Sequence, residues 1–273
     1  GAVFVLIGLS GSLLAYREAV DEALNAAIMR VEAPQGDAAY RPVDEIVAAA
    51  TAAMPPEAKI ERLTMPRHAG AAASISYVLE TDDLDTFVHE LFVDPYRAKV
   101  TGQRLFLHGN DPLSQPFIQI VMTFHWTLLL GVNNAYAVGA AGVLLFVSVM
   151  MGLYLWLPSN GDWRSGLTVK WGASAERVTL DLHRSIGAWL GVLLLVMLLT
   201  GVAMIFKPAT RAVIGLFSPL QADVDFGKST PVSGRATISA GAAVASADRI
   251  FPDGRLHWIL FPGAPNAVYV VGK

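Results

Sequence analysis

The sequence predicts an α-helical integral membrane protein that also carries α+β modules in the aqueous phase and contains an internal duplication. Three observations lead there. Residues 135–157 and 186–205 run for 23 and 20 positions without a charge, long enough to cross a bilayer core as helices. The chain is 53% apolar and only 16% charged, outside the usual range of a soluble domain. Residues 17–116, by contrast, are polar enough for water and include stretches that alternate with the period of strands. Three spans are visible, and a repeat in the sequence implies a bundle of four.

Composition removes several chemistries. A net charge of −3 and a pI near 6.1 argue against nucleic acid as a partner. There is no cysteine, so disulfides, Fe–S clusters, thiolate catalysis and covalent c-type haem attachment are excluded. A metal has to sit on histidine, methionine, carboxylate or oxygen, and the chain holds six histidines.

Taken in order, residues 1–25 read as transmembrane helix 1. Its apolar part, 1–16, is slightly short for a span and could also be a signal peptide. The chain opens without a methionine or a basic leader, so residues are expected before Gly1. Residues 26–116 form an aqueous module. Within it, 41–54 reads as a helix with Asp44 near its start and Pro55–Pro56 at its end. Segments 59–66, 73–80 and 86–94 read as strands, and 94–102 as a turn or hairpin.

Residues 117–134 are apolar but include Gln119, Thr123 and His125, which suggests a helix at the membrane surface, broken at Asn133–Asn134. Transmembrane helix 2 covers 135–157, with Trp156 near its end and Pro158 closing it. A polar loop, 158–179, precedes transmembrane helix 3 at 180–207. Residues 208–273 return to aqueous character as a second, incomplete module.

The repeat has two parts. LSGSLLAYR (9–17) matches LTGVAMIFK (199–207) at an offset of 190. Downstream, Ile60 aligns with Leu256 and Met65–Pro66 with Phe261–Pro262 at an offset of 196; after a gap of four, Tyr77–Val78 aligns with Tyr269–Val270. Two matches in the same order point to duplication, with a pseudo-two-fold axis along the membrane normal. On that basis His183 has its counterpart about eight residues before Gly1, and His125 near position 317–321.

The loop 158–179 carries Arg164, Lys170 and Arg177 against Asp162 and Glu176, which assigns it to the cytoplasm and the modules to the outside. The 135–157 span then separates His125 from His183, so the two cannot bind one ion. His183, Gly187 and Gly191 recur at i, i+4 and i+8. Either the glycines clear space for a flat bulky group under the imidazole, or they form a small-xxx-small contact with another helix.

Histidine beside spanning helices, without cysteine, suits a non-covalent b-type haem; two haems at opposite faces would make an electron path across the membrane. Arg184 or Arg164 would pair with haem propionates or with lipid headgroups. The apolar runs 1–16, 135–157 and 186–205 contain no Asp, Glu, Lys or Arg, which argues against a pump, and no hydrolase or phosphate-loop motif is present. His108 reads as a loop residue, or a neighbour of the outer site. His89 and His257 read as strand packing residues and His68 as a turn residue.

These residues resemble the PepSY-associated transmembrane family of bacterial inner-membrane proteins, over nearly the whole chain. LSGSLLAYREAVDEALN looks like the end of the family's first helix, and EIVAAATAAMPPEAKIERLTMP like its PepSY module. LFVDPYRAKVTGQ is similar to the closing VDPYTG-type hairpin. FHWTLLLG is similar to an LHRSLLLG element, with Trp126 where arginine is common. GLYLWLP and DLHRSIGAWLG match the end of helix 2 and the start of helix 3.

The resemblance implies four spans, periplasmic PepSY modules and haem-binding histidines, which fall on His125 and His183 as axial ligands of two b haems; Arg184 is the candidate beside the cofactor on the residue reading given above. Second axial ligands are expected outside residues 1–273. It also implies a multi-pass protein of the inner membrane, among lipids, acting as an oxidoreductase. Electrons would pass from an unidentified cytoplasmic donor to a periplasmic ferric siderophore and release iron as Fe(II). The alternative is a non-redox, membrane-anchored PepSY module that binds peptides or inhibits a peptidase.

Overall fold

Alternation of apolar and polar side chains builds an antiparallel sheet, and unbroken apolar runs build long helices. In this computed structural model, residues 2–36, 39–80, 86–108, 111–157, 161, 163–220, 227–230 and 237–273 are described. Pro158 and Asp162, read above as a helix-closing and a loop residue, lie outside them.

In chain order the elements are α1 (Ala2–Leu14), α2 (Arg17–Leu24), α3 (Ala26–Met29), α4 (Val43–Thr51), β1 (Lys59–Thr64), β2 (Ala73–Glu80), β3 (Thr86–Asp94), β4 (Lys99–His108), α5 (Phe117–Thr127), α6 (Ala135–Trp156), α7 (Trp163–Leu167), α8 (Ala175–Ile205), α9 (Lys207–Gly215), α10 (Ala240–Ile250), β5 (Trp258–Leu260) and β6 (Val270–Gly272). They sort into two units: Gly1–His125 with Asp223–Lys273, and Trp126–Ala222.

The first unit is arranged around a six-stranded sheet of order β4-β3-β2-β1-β5-β6. Ala73, Ile75 and Tyr77 on β2 and Leu91 and Val93 on β3 point to one face, where they bury against Ile46 and Ala50 of α4 and Ala240 of α10. Their neighbours one step along, Ser74, Ser76, Glu90 and Phe92, point to the other face. Each large aliphatic side chain buried here contributes roughly 1.5–3 kcal/mol. The turn between β3 and β4 is built by Asp94, whose Oδ1 accepts from the backbone N–H groups of Tyr96 and Arg97 at 2.8 and 3.2 Å.

Within the stretch 208–273, read as a second module, β5 and β6 extend this same sheet. β5 pairs antiparallel with β1, with Leu63 opposite Ile259, 196 residues away in the chain. α10 packs beside α4. Asp44 lies in the first turn of α4, as expected, and also supports the start of α10. Its carboxylate accepts from Ser239 Oγ at 2.9 Å and from the Gly241 N–H at 2.7 Å.

α1 covers 13 residues, about 20 Å at 1.5 Å per residue. It meets α2 at a bend of 76° where the apolar run gives way to Arg17 and Glu18. α2 buries acids. Asp21 and Glu22 are 8% and 5% exposed, and both are taken up by arginines of the module.

The second unit contains a pair of long apolar helices, α6 and α8, with 22 and 31 residues; both are long and apolar enough to cross a membrane. α8 begins at Ala175, five residues before the predicted span, because Ser174 caps it by accepting from the Arg177 N–H at 3.4 Å. Covered residues on α6 (Gly139, Gly142, Phe146, Val149, Leu153) recur at steps of three and four, the spacing of a packing seam. Glycines let the two backbones approach: Gly139 faces Phe206, Gly142 faces Val202, and Gly191 faces Leu153, so the helices run antiparallel.

At one end, the Trp156 indole N–H donates to the Gly166 carbonyl of α7 at 3.0 Å. The 117–134 stretch leaves its helix at Thr127, earlier than the asparagines suggested. Leu128, Leu129 and Gly131 take positive φ there, before a 3-10 turn at Val132–Asn134.

Candidate functional site

α5 carries His125 near its C-terminal end, one turn after Met122, and presents its ring to α1. Nδ1 lies 3.1 Å from the Ile7 carbonyl oxygen and 3.0 Å from Ser10 Oγ. The Ser10 hydroxyl itself donates to the Ile7 carbonyl at 2.8 Å. A carbonyl oxygen only accepts, so Nδ1 carries the hydrogen, and in the neutral imidazole Nε2 is the nitrogen left with the lone pair. The ring lies flush against Gly11; a Cβ there would sit 2.8 Å from His125 Cε1. Ile7, Ser10 and Gly11 carry no side-chain chemistry that marks them as site residues in the sequence alone. The signal was present in the repeated Leu-Ser/Thr-Gly motif, which places a hydroxyl next to a glycine on one helix.

A groove of about 1080 Å³ opens on the sheet face away from α4 and α10. Leu14 of α1 and Met122 of α5 line it, and each stands one turn from the Ser10–His125 contact. Phe92, Phe106 and Trp258 supply apolar walls, and Arg62 stacks over the Trp258 ring at 4.9 Å.

Much of the groove's charge is paired. Arg104 donates to Asp21 through both terminal nitrogens, at 2.8 and 2.7 Å, and to Glu90 at 2.6 and 3.0 Å. Arg67 pairs with Glu18 and Glu22, and Glu22 also takes Arg30 and His68. Burial pushes the Glu90 carboxyl above its ordinary range; Arg104 opposes the shift in part, and the nearby Asp21 charge adds to it.

His183 lies in the second unit, exposed on α8, with Arg184 half-buried beside it. The predicted His183–Gly187–Gly191 face divides. Gly187 has open space where a Cβ would be, whereas Gly191 is packed against Leu153 of α6. Each four-residue step advances the helix by about 40° beyond a full turn, so the third position has rotated into the seam. The small-residue contact therefore belongs to Gly191, and the open face to His183 and Gly187.

His68 pairs with Glu22 at 2.8 Å, His89 stacks on Tyr77 and His108 on Phe87, while His257 lines the groove. Among the described residues no three His, Asp or Glu side chains converge as a metal site. Neither His125 nor His183 belongs to such a group among the described residues, so each would offer a cofactor one imidazole nitrogen. A b-type haem, which brings four nitrogen donors of its own, suits that arrangement. Its fit rests on the free Nε2 of His125 and on the open helix face at Gly187.

Among the described residues, two helices long and apolar enough to cross a membrane and an antiparallel sheet fit a membrane protein with a folded aqueous part. The family model described as PepSY-associated TM region matches residues 1–261, and the chain belongs to that family. No curated protein matches the chain.

Proposed function

We propose that this protein is a haem b reductase of the bacterial inner membrane. It would carry electrons from a cytoplasmic donor to a ferric siderophore on the periplasmic side and release the metal as Fe(II). The observation that carries the reading is His125, whose hydrogen-bonded Nδ1 leaves Nε2 as a free donor close to a wide groove. Haem bound at the two histidines would supply reversible one-electron chemistry.

The chain's residues have distinct parts in this reading. His125 and His183 each offer one imidazole nitrogen. Gly11 and Gly187 keep the helix surface clear beside those rings. Arg184 is the candidate partner for a propionate. The groove receives the ferric chelate, with Phe92, Phe106 and Trp258 covering its apolar parts. Adding one electron converts Fe(III) to the softer Fe(II), which hard oxygen donors hold less well, so the metal leaves and the chelator survives.

A four-span duplicated bundle also belongs to this proposal. Its support is the β1–β5 register. Leu63 faces Ile259 at the same 196-residue offset at which the two halves align, as a local two-fold axis requires. The peptide-binding alternative uses the same groove but gives the His125 arrangement no task.

Absorbance of the purified full-length protein tests the reading. Dithionite should bring up sharp Soret and α bands of six-coordinate b haem. His125→Ala and His183→Ala should each remove part of that signal and leave the rest. A signal unchanged in both variants would defeat the ligand assignment.

A further inference from the structure

We propose that Ser10 is a positioning residue for His125: with the Ile7 carbonyl it keeps the proton on Nδ1, leaves the lone pair of the neutral ring on Nε2 and sets how strongly that nitrogen donates to a metal. The proposal rests on the haem reading above.

The geometry is fully specified. Nδ1–H shares its hydrogen between Ile7 O at 3.1 Å and Ser10 Oγ at 3.0 Å. The Ser10 hydroxyl hydrogen is directed to Ile7 O at 2.8 Å, so only its lone pairs face the ring. The repeat supplies an independent check. At the equivalent positions on α8, Thr200 Oγ1 donates to Met197 O at 3.0 Å and to Val196 O at 3.0 Å, with open space beside Gly201. The hydroxyl of this motif therefore spends its proton on its own helix even where no ring lies against the glycine. What remains is an acceptor, and an acceptor selects the Nδ1–H tautomer.

Burial sharpens the effect. Ser10 is 9% exposed, so water offers little replacement for the hydroxyl. A hydrogen bond to Nδ1–H raises the basicity of Nε2, which favours ferric over ferrous iron and lowers the reduction potential. Without the oxygen, Nδ1–H keeps one acceptor, Nε2 donates less, and the potential rises.

The test uses full-length protein and spectroelectrochemical titration of each haem, with His125→Ala marking which midpoint belongs to the His125 site. Ser10→Thr and Ser10→Val have nearly the same shape and differ in the oxygen, so a packing effect moves both alike. Ser10→Val and Ser10→Ala should raise the His125-linked midpoint and leave the other in place, while Ser10→Thr stays near wild type. An unmoved midpoint in Ser10→Val, or an equal shift in Ser10→Thr, overturns the proposal and leaves the haem reading standing. A wild-type protein without haem overturns both.

Discussion

Arg104 of β4 holds Asp21 of α2 through two parallel hydrogen bonds of 2.8 and 2.7 Å, and the same guanidinium holds Glu90 of β3. The three side chains are largely buried, and two carboxylates share one cation. The clasp joins α2, which follows the helix carrying Ser10, to the sheet that floors the groove.

Replacing the cation should be severe. Arg104→Met leaves two uncompensated carboxylates in a desolvated site, a loss of about 3–5 kcal/mol for a buried pair broken on one side. Thermal unfolding of the full-length protein in detergent should show a marked fall in midpoint, larger than that of Arg41→Met in the exposed Arg41–Glu45 pair.

The pH dependence of Glu90 has a definite sign. Burial raises its folded-state pKa above the unfolded value, so its contribution is fully present in acid and is lost as pH rises through the folded pKa. Glu90→Gln should match wild type in acid and gain on it toward neutral pH. A Tm difference independent of pH would contradict this.

Leu63 and Ile259 are both fully buried where β1 meets β5. Alanine at either position should cost about 2–5 kcal/mol. Because the two side chains belong to one contact, the double variant should depart from additivity. Additive losses would show that the two strands are not coupled through this pair.

Gly187 and Gly191 should separate in their effects. Gly191→Leu drives a side chain into Leu153 and should lower stability by about 1–3 kcal/mol, as overpacking does. Gly187→Leu fills open space beside His183, so stability should hold while the haem signal linked to His183 falls. Equal effects would remove the distinction between seam and cofactor face.

Gly11→Ala tests the other ring. Its Cβ would stand 2.8 Å from His125 Cε1, so the imidazole has to move off the Ser10–Ile7 acceptors. The His125-linked absorbance should drop or broaden, and the His183-linked part should remain.

The parts of the fold carried by local pattern were legible. The α6 span, the core of α8 and the strands at 73–80 and 86–94 follow from periodicity and length, whereas β1 stops at Thr64 short of the expected 66 and β4 starts inside the stretch read as a turn or hairpin at 94–102. The joining of β5 to β1 was not, because strand pairing across 196 residues is a backbone event with no local signature. The start of α8 was readable in Ser174 as a cap. At the site, His125 was visible as a residue type, but Ser10 lies 115 residues away on another helix and is linked to it only through folding. The His183–Gly187–Gly191 face was over-extended, because helical drift turns Gly191 away.

The most direct measurement is the haem content of the intact protein, taken from a pyridine haemochrome spectrum against protein concentration. The account predicts b haem at close to two per chain, falling to about one in His125→Ala. A colourless, folded protein that still binds a ligand in its groove would contradict it.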